Sequence, residues 1–182
     1  MKLNDVVRFF THPPTNGPKA TLAIRLMAGG VFFWEGLLKF AYANQGVGRF
    51  TKLGMPVPEL LAPAIAVLEI AGGVLLMSGL GTRFISVPFI VEMFVAILST
   101  KISLYLGTYP LPKPPAPPVS GGWAVLHEIR SDYAQIMSCI YLLAAGPGPW
   151  SLDALRERLR GRNLVHRRSP GAAIPPSGRP TT

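Results

Sequence analysis

Residues 60–80 read LLAPAIAVLEIAGGVLLMSGL, an apolar stretch whose only ionisable side chain is Glu69. A helix needs roughly 20 mostly apolar residues to cross the hydrocarbon core of a membrane. The stretch therefore predicts a membrane-spanning helix from about Leu60 to Leu80. Because an ionised side chain is costly in hydrocarbon, Glu69 is expected to face neighbouring helices rather than lipid.

Three further segments extend this prediction. Thr21–Tyr42 and Phe84–Leu106 are long enough to cross a membrane and are mostly apolar. Val125–Ala145 is also long enough, although its first half is rich in polar and charged side chains. Together the four segments predict an all-α chain, an integral membrane four-helix bundle. The polar residues of the last segment are His127, Glu128, Arg130 and Asp132.

The distribution of basic residues predicts the orientation. The formal net charge is +9, and most Lys and Arg lie in the two terminal regions and in the short second connection. Cytoplasmic loops are enriched in Lys and Arg, so both termini are predicted to be cytoplasmic. No aromatic residues interleave the C-terminal arginines, and we expect no nucleic-acid partner. Cys139 stands alone, so a CxxC pair is excluded, and the sequence carries no haem, flavin or metal motif.

These features divide the chain into four parts. Residues 1–19 are predicted to be a cytoplasmic segment, and residues 20–146 are predicted to form the four-helix transmembrane domain. Residues 147–168 are predicted to form a basic juxtamembrane helix, and residues 169–182, rich in Pro, Gly and Ser, a disordered tail.

Two connections and the juxtamembrane region carry further patterns. In VGRFTKLGMP (47–56), apolar residues at helical spacing predict a short interfacial helix. The segment YPLPKPPAPPVSGG (109–122) is dense in proline and is expected to be extended. Ser151 can cap a helix in which Leu152, Leu155 and Leu159 form one apolar stripe. Arginines on the other faces of that helix would hold it against anionic lipids.

Ionisable residues at membrane depth carry most of the functional information. Glu35 and Lys39 are one turn apart in the order that favours an ion pair, and Arg25 lies in the same sector of the helix. The last segment repeats polar residues at three- and four-residue steps, which predicts a polar stripe. The candidate ligand-binding residues are Glu35, Lys39, Glu69, Glu128 and Asp132.

Among the charged residues predicted to lie in the outer half of the bundle, carboxylates outnumber lysines. Burial and like charge both favour the neutral carboxyl, so one of these groups is expected to hold a proton. A proton-binding carboxyl beside an apolar pocket is what a quinone site or a proton-coupled site requires. The alternative is that the charges only neutralise one another and fix helix register. Structural charge or packing roles are assigned to Arg25, Gly36, Gly72, Gly73, Glu92 and Lys101.

Several of these residues belong to short motifs that follow one another along the chain. These motifs comprise Arg25, Gly29, Gly36 and Lys39, the LGMP of the first connection, Glu69–Gly73, and HEIRSDYAQIMSCIYLLAAGPGPWSLD from His127 to Asp153. From about Thr21 to Leu159 the chain resembles the DoxX family. The resemblance implies a four-helix protein of a bacterial or archaeal cytoplasmic (inner) membrane. Related proteins include a membrane subunit of a thiosulfate:quinone oxidoreductase and a member of an oxidative-stress complex with superoxide dismutase and a sulfurtransferase.

Three hypotheses follow. The leading one is a membrane subunit of a redox or oxidative-stress-related complex that binds a quinone between its helices, with a protein partner or a second copy. If the chain takes part in catalysis, it is expected to do so as an accessory subunit of a quinone-linked oxidoreductase. The second hypothesis is a non-catalytic scaffold that recruits a partner protein or anionic lipid. The third is a proton-coupled carrier, for which internal repeats would be expected and none is evident.

Overall fold

The computed structural model describes residues 2–112 and 118–168, with side chains described as far as Arg162. Within these ranges all regular structure is helical, which confirms the prediction of an all-α chain. The predicted disordered tail and the middle of the proline-rich segment lie outside the described residues. The helices are α1 (Leu3–Thr11), α2 (Thr21–Ala41), α3 (Val47–Lys52), α4 (Pro58–Ser78), α5 (Thr82–Ala96), α6 (Ile102–Tyr105), α7 (Gly122–Glu128), α8 (Arg130–Ala145) and α9 (Leu152–Arg168).

Three helices in the described part of the chain are long and apolar enough to cross a membrane. They are Thr21–Ala41, Pro58–Ser78 and Thr82–Tyr105, which confirms the first three predicted spans. The last of these combines α5 and α6 through a π-helical segment, Ile97–Lys101. The fourth predicted span consists of α7 and α8, which are separated at Ile129. With 16 residues, α8 by itself is shorter than a typical crossing.

The bundle has two ends. The N-terminus of α2, the α4–α5 turn and the C-terminus of α8 meet at one end, here called the terminal end. The opposite end, here called the loop end, carries the short helix α3 and the connection between α6 and α7. The helix α3 agrees with the one predicted in the first connection, and Phe50 is its buried residue.

Helices α2 and α4 form the most extensive interface of the bundle. A Cβ atom on Gly29 would lie 2.6 Å from the Gly73 carbonyl oxygen, and one on Gly73 would lie 2.6 Å from the Gly29 carbonyl oxygen. Near the loop end, a Cβ atom on Gly36 would lie 2.7 Å from the Ala66 carbonyl oxygen. The two backbones are therefore in direct contact, which only small residues allow.

Helices α5 and α8 form a second pair. The Phe32 and Phe89 rings stack across the two pairs with their centroids 3.7 Å apart. Gly72 makes room for this stack, because a Cβ atom there would lie 2.5 Å from the Phe89 ring. The Gln135 side chain on α8 also donates a 3.1 Å hydrogen bond to the Ala28 carbonyl on α2. Aromatic packing and a buried polar contact thus join the two pairs near mid-bundle.

Two buried arginines hold the terminal end together. The Arg25 guanidinium donates to the carbonyl oxygens of Pro147 at 2.8 Å and Met77 at 3.0 Å. The Arg83 guanidinium donates to those of Phe9 at 3.0 Å and Ala144 at 2.7 Å. Met77 and Ala144 lie in the last turns of α4 and α8, where carbonyl oxygens lack intrahelical partners and carry partial negative charge.

The position of Arg25 differs from the sequence expectation. Its angular position on α2 predicted that Arg25 would lie with Glu35 and Lys39. The Arg25 side chain instead extends to the terminal end. The Met77 carbonyl in the last turn of α4 and the Pro147 carbonyl just after α8 accept from the two sides of the guanidinium fork, a geometry that one distant carboxylate could not match.

The segment after α8 folds back on the α4–α5 turn. The Asp153 carboxylate accepts a 3.0 Å hydrogen bond from the Gly81 amide, and the Asp153 amide donates to the Gly79 carbonyl at 3.2 Å. Ser151 caps α9, because its Oγ accepts a 3.1 Å bond from the Ala154 amide. Burial raises the pKa of the Asp153 carboxyl, and the bond from Gly81 partly opposes that shift. This anchor fixes where α9 begins.

Candidate functional site

A cavity of about 1150 Å³ lies between the α2–α4 and α5–α8 pairs. Its volume is slightly above the range of roughly 300–1,000 Å³ that is common for small-molecule sites. Most of the lining is apolar, including a continuous wall of α5 side chains, and several charged groups interrupt it. The wall of α5 is formed by Phe84, Val87, Val91 and Val95.

An ion pair between α2 and α4 lies in this lining. The Lys39 Nζ atom is 2.7 Å from Oε1 and 2.6 Å from Oε2 of Glu69, whose side chain is only 2% exposed. The expected pairing of Lys39 with Glu35 is not the one observed, since the Glu35 side chain is exposed and faces the cavity separately. The close α2–α4 contact at Gly36, one turn before Lys39, brings the ammonium within reach of Glu69.

Glu92 on α5 belongs to the same group. Its carboxyl lies next to that of Glu69, lines the cavity, and has a buried Oε2 atom without a hydrogen-bond partner. Sequence reasoning assigned Glu92 a structural role, because the angular position of a residue on α5 does not reveal which helix it faces. Glu69, Glu92 and Lys39 therefore form one cluster from three helices, here called the carboxyl–lysine cluster.

A second charged group lies nearer the loop end. The Lys101 Nζ atom is 3.7 Å from the Glu128 carboxylate, and Asp132 lines the cavity with a buried Oδ2 atom that lacks a partner. Lys101 ends the π-helical segment, where the Thr100 hydroxyl donates to the Ala96 carbonyl. Hydroxyls that bond backbone carbonyls disturb regular helices, and single π turns are frequent at functional sites.

The structure places the candidate residues as follows. Four of the five predicted ligand-binding residues line the cavity, and the fifth, Glu128, pairs with a lining residue. Of the residues given structural roles, Glu92 and Lys101 line the cavity, whereas Arg25 and the three glycines do not. The four lining members of the predicted ligand-binding set are Glu35, Lys39, Glu69 and Asp132.

Sequence reasoning missed two contributors. Arg49 on α3 reaches the cavity from the loop end. Helix α1 contributes Val6, Val7 and Phe10 to the lining near the terminal end. The Arg83 guanidinium holds α1 in place, lying 3.9 Å from the centroid of the Phe9 ring. The spacing of the apolar residues of α1 follows a helical stripe, which was the available signal.

The chain is similar to known membrane proteins. The DoxX family model matches residues 20–102, which contain α2 to α5 and the whole carboxyl–lysine cluster. An uncharacterized membrane protein of Mycobacterium tuberculosis is 38% identical over 143 residues, covering 75% of this chain and 81% of the relative. The chain belongs to the DoxX family. The carboxyl–lysine cluster thus lies within the part of this DoxX protein that the family model matches.

A second relative of this DoxX protein comes from Bacillus subtilis. It carries the name "Putative oxidoreductase CatD" and is 37% identical over 82 residues. That alignment covers 45% of this chain and 60% of CatD, which is less than two thirds of its length. No solved structure matches the chain.

Proposed function

We propose that this DoxX protein is the membrane subunit of a redox complex and binds a quinone in the cavity between its helices. The observation that carries the proposal is the carboxyl–lysine cluster in the wall of a large, mainly apolar cavity at membrane depth. Ionisable residues at that depth commonly mark ligand or proton pathways. The name of CatD, a relative over 82 residues, points to the same class of chemistry.

The lining residues suit a quinone in two ways. The apolar α5 wall offers a surface for a hydrophobic ring and tail, as in most small-molecule sites. Lys39 can donate a hydrogen bond to a quinone carbonyl, and the carboxyls of Glu69 and Glu92 can accept or release protons. A bound quinone would supply the electron-accepting chemistry.

The charges of the cluster support a proton-handling role. Two carboxyls face one ammonium, so the cluster keeps a formal negative charge until one carboxyl binds a proton. Because an unpaired buried charge is costly, Glu69 and Glu92 together are suited to hold one proton beside the ligand. Since the sequence has no flavin, haem or metal motif, we assign the electron donor to a protein partner.

We extend the proposal to a fourth crossing with both termini in the cytoplasm of a bacterial or archaeal cell. Arg83, near the start of α5, bonds the Ala144 carbonyl near the end of α8. Lys101, near the other end of the same span, pairs with Glu128 at the end of α7. Together, α7 and α8 thus run antiparallel to the span Thr82–Tyr105 over nearly the whole length of that span. The excess of basic residues at the terminal end favours its cytoplasmic location.

Quinone binding in nanodiscs is the direct test. Glu69→Gln removes the charge but keeps the size of the side chain, and we expect quinone binding to be lost while the protein remains folded. Glu59→Gln is the matched control, because Glu59 lies exposed in the first turn of the same helix. Undiminished binding by Glu69→Gln would remove the cluster from the proposed site.

A further inference from the structure

Helix α9 begins at the level of the membrane surface. Gly79, Leu80 and Gly81 alone separate α4 from Thr82–Tyr105, the span that begins with α5, and both segments are long and apolar enough to cross a membrane. This turn must therefore lie where the chain leaves the hydrocarbon and re-enters it. Asp153, in the first turn of α9, hydrogen-bonds to both glycines of the turn. The start of α9 is thus tied to the headgroup level.

One face of α9 is turned toward the protein. Asp153 and Ala154 are buried, and Glu157 accepts a 2.8 Å hydrogen bond from the Thr15 hydroxyl. At 100° per residue, these three side chains lie within one sector of about 100°. Beyond Glu157 the described side chains of α9 are exposed, so the helix projects from the bundle.

The opposite face carries a leucine ridge, formed by Leu152, Leu155 and Leu159. These side chains are 43%, 49% and 43% exposed. By the same helical geometry, the ridge is centred roughly opposite the sector that contacts the protein. An apolar ridge that faces away from its own domain needs another apolar environment to cover it.

Arginines lie on both sides of the ridge. Helical geometry places Arg156 and Arg160 on one flank and Arg158 and Arg162 on the other. Long basic side chains can cover apolar surface with their stems and keep their charged groups in the headgroup layer. Trp150, just before α9, is 57% exposed, and Trp is enriched at membrane interfaces.

From these observations we infer that α9 lies in the headgroup layer and that its leucine ridge and flanking arginines bind an anionic phospholipid surface. The part of the helix after Glu157 would extend about 16 Å from the bundle. A lipid surface fits better than a protein partner, because the helix starts at the headgroup level and is basic on both flanks of an apolar strip. The protein-partner alternative requires the ridge to face the aqueous phase.

Spin-label accessibility in the full-length protein separates these two arrangements. Cys139 is buried and would be replaced by Ala, after which single cysteines are introduced by Leu159→Cys or Gly161→Cys. Gly161 is the matched control, since it lies near the sector opposite the ridge and an added Cβ atom would meet nothing within 4 Å. Each labelled protein is placed in nanodiscs of phosphatidylcholine alone or of phosphatidylcholine with phosphatidylglycerol.

In anionic nanodiscs we expect the Leu159→Cys label to be accessible to oxygen and several-fold less accessible to a water-soluble nickel complex than the Gly161→Cys label. Full exposure of both labels to the nickel complex would overturn the inference and favour a protein partner. Protection of the Leu159→Cys label from the nickel complex should weaken without phosphatidylglycerol. It should also weaken after joint replacement of the four flanking arginines by Gln. Equal protection in both lipids, or in the Gln variant, would refute the anionic requirement.

Discussion

Lys39 on α2 forms its ion pair with Glu69 on α4, thirty positions further along the chain, and not with Glu35 on its own helix. This pairing joins two helices whose backbones already touch through glycines. It also fixes an ammonium and a carboxylate in the wall of the cavity, where Glu92 meets them from α5. The same contact therefore contributes to the packing of the bundle and to the candidate site.

Removing Lys39 should be costly because it leaves Glu69 buried without its counterion. We expect Lys39→Met to lower the free energy of unfolding by about 3 kcal/mol, measured by unfolding in detergent micelles. The double variant Lys39→Met/Glu69→Leu should recover much of that loss, because it removes both charges. A double variant as unstable as the single one would show that the ion pair is not the cause.

Gly29 and Gly30 offer a matched pair of adjacent glycines. A methyl group on Gly29 would meet the Gly73 carbonyl at 2.6 Å, whereas one on Gly30 would meet nothing within 4 Å. We expect Gly29→Ala to destabilise the protein by about 1–3 kcal/mol through overpacking. Gly30→Ala should be neutral or stabilise it by up to about 1 kcal/mol, because Ala favours the helix. Equal thermal stabilities of the two variants would contradict direct α2–α4 backbone contact.

Arg25 should not tolerate replacement by Lys. A single ammonium cannot reproduce the planar fork that reaches both the Pro147 and Met77 carbonyls. We expect Arg25→Lys to lower the free energy of unfolding by about 2 kcal/mol, since a buried acceptor loses its donor. Arg130→Lys is the control, because Arg130 is exposed and its side chain bonds the nearby His127 carbonyl. Similar melting temperatures for both variants would argue against the arginine contact.

Asp153 predicts a specific pH dependence. Burial raises its pKa in the folded chain above the ordinary value of 3.8, so the folded state binds the proton more tightly than the unfolded state. The contribution of this group to stability is therefore greatest at low pH and falls as the pH rises from the ordinary to the raised pKa. Asp153→Asn keeps a side-chain acceptor for Gly81 but cannot ionise.

The measurement is the difference in unfolding free energy between wild type and Asp153→Asn as a function of pH. As the pH rises from the ordinary to the raised pKa of Asp153, the wild type should lose stability relative to Asp153→Asn. Above the raised pKa the difference should stay constant. A difference that moves in favour of the wild type would mean that the native carboxylate is stabilised, contrary to the burial effect.

Sequence patterns were sufficient for several local features of this fold. Runs of apolar residues predicted three spans, and the Ser151 cap followed from the residue type and its position. They were insufficient for contacts between helices. The period of a helix gives the direction of Lys39 on α2 but not the identity of the helix on that side. Spacing alone could therefore predict only a partner on the same helix, which was Glu35.

The same limit explains the other differences at the site. The partners of Arg25 are backbone carbonyls, which every residue possesses and no sequence pattern marks. Glu92 was visible as a mid-span carboxylate, but its approach to Glu69 depends on how α5 packs against α4. The contribution of α1 to the cavity required a fold in which the N-terminal segment returns to the bundle.

The polar contacts between the two helix pairs have a mechanical consequence. Thr21 with Tyr141, Arg25 with Pro147, and Gln135 with Ala28 join the two helix pairs in the half of the bundle nearer the terminal end. The cavity continues toward the loop end, where the lining consists of cavity-facing charged side chains and the short helix α3. Because these three hydrogen bonds hold the pairs together toward the terminal end, we expect the pairs to separate more easily at the loop end. If the proposed quinone binds in the cavity, we therefore expect it to enter from the bilayer nearer the loop end.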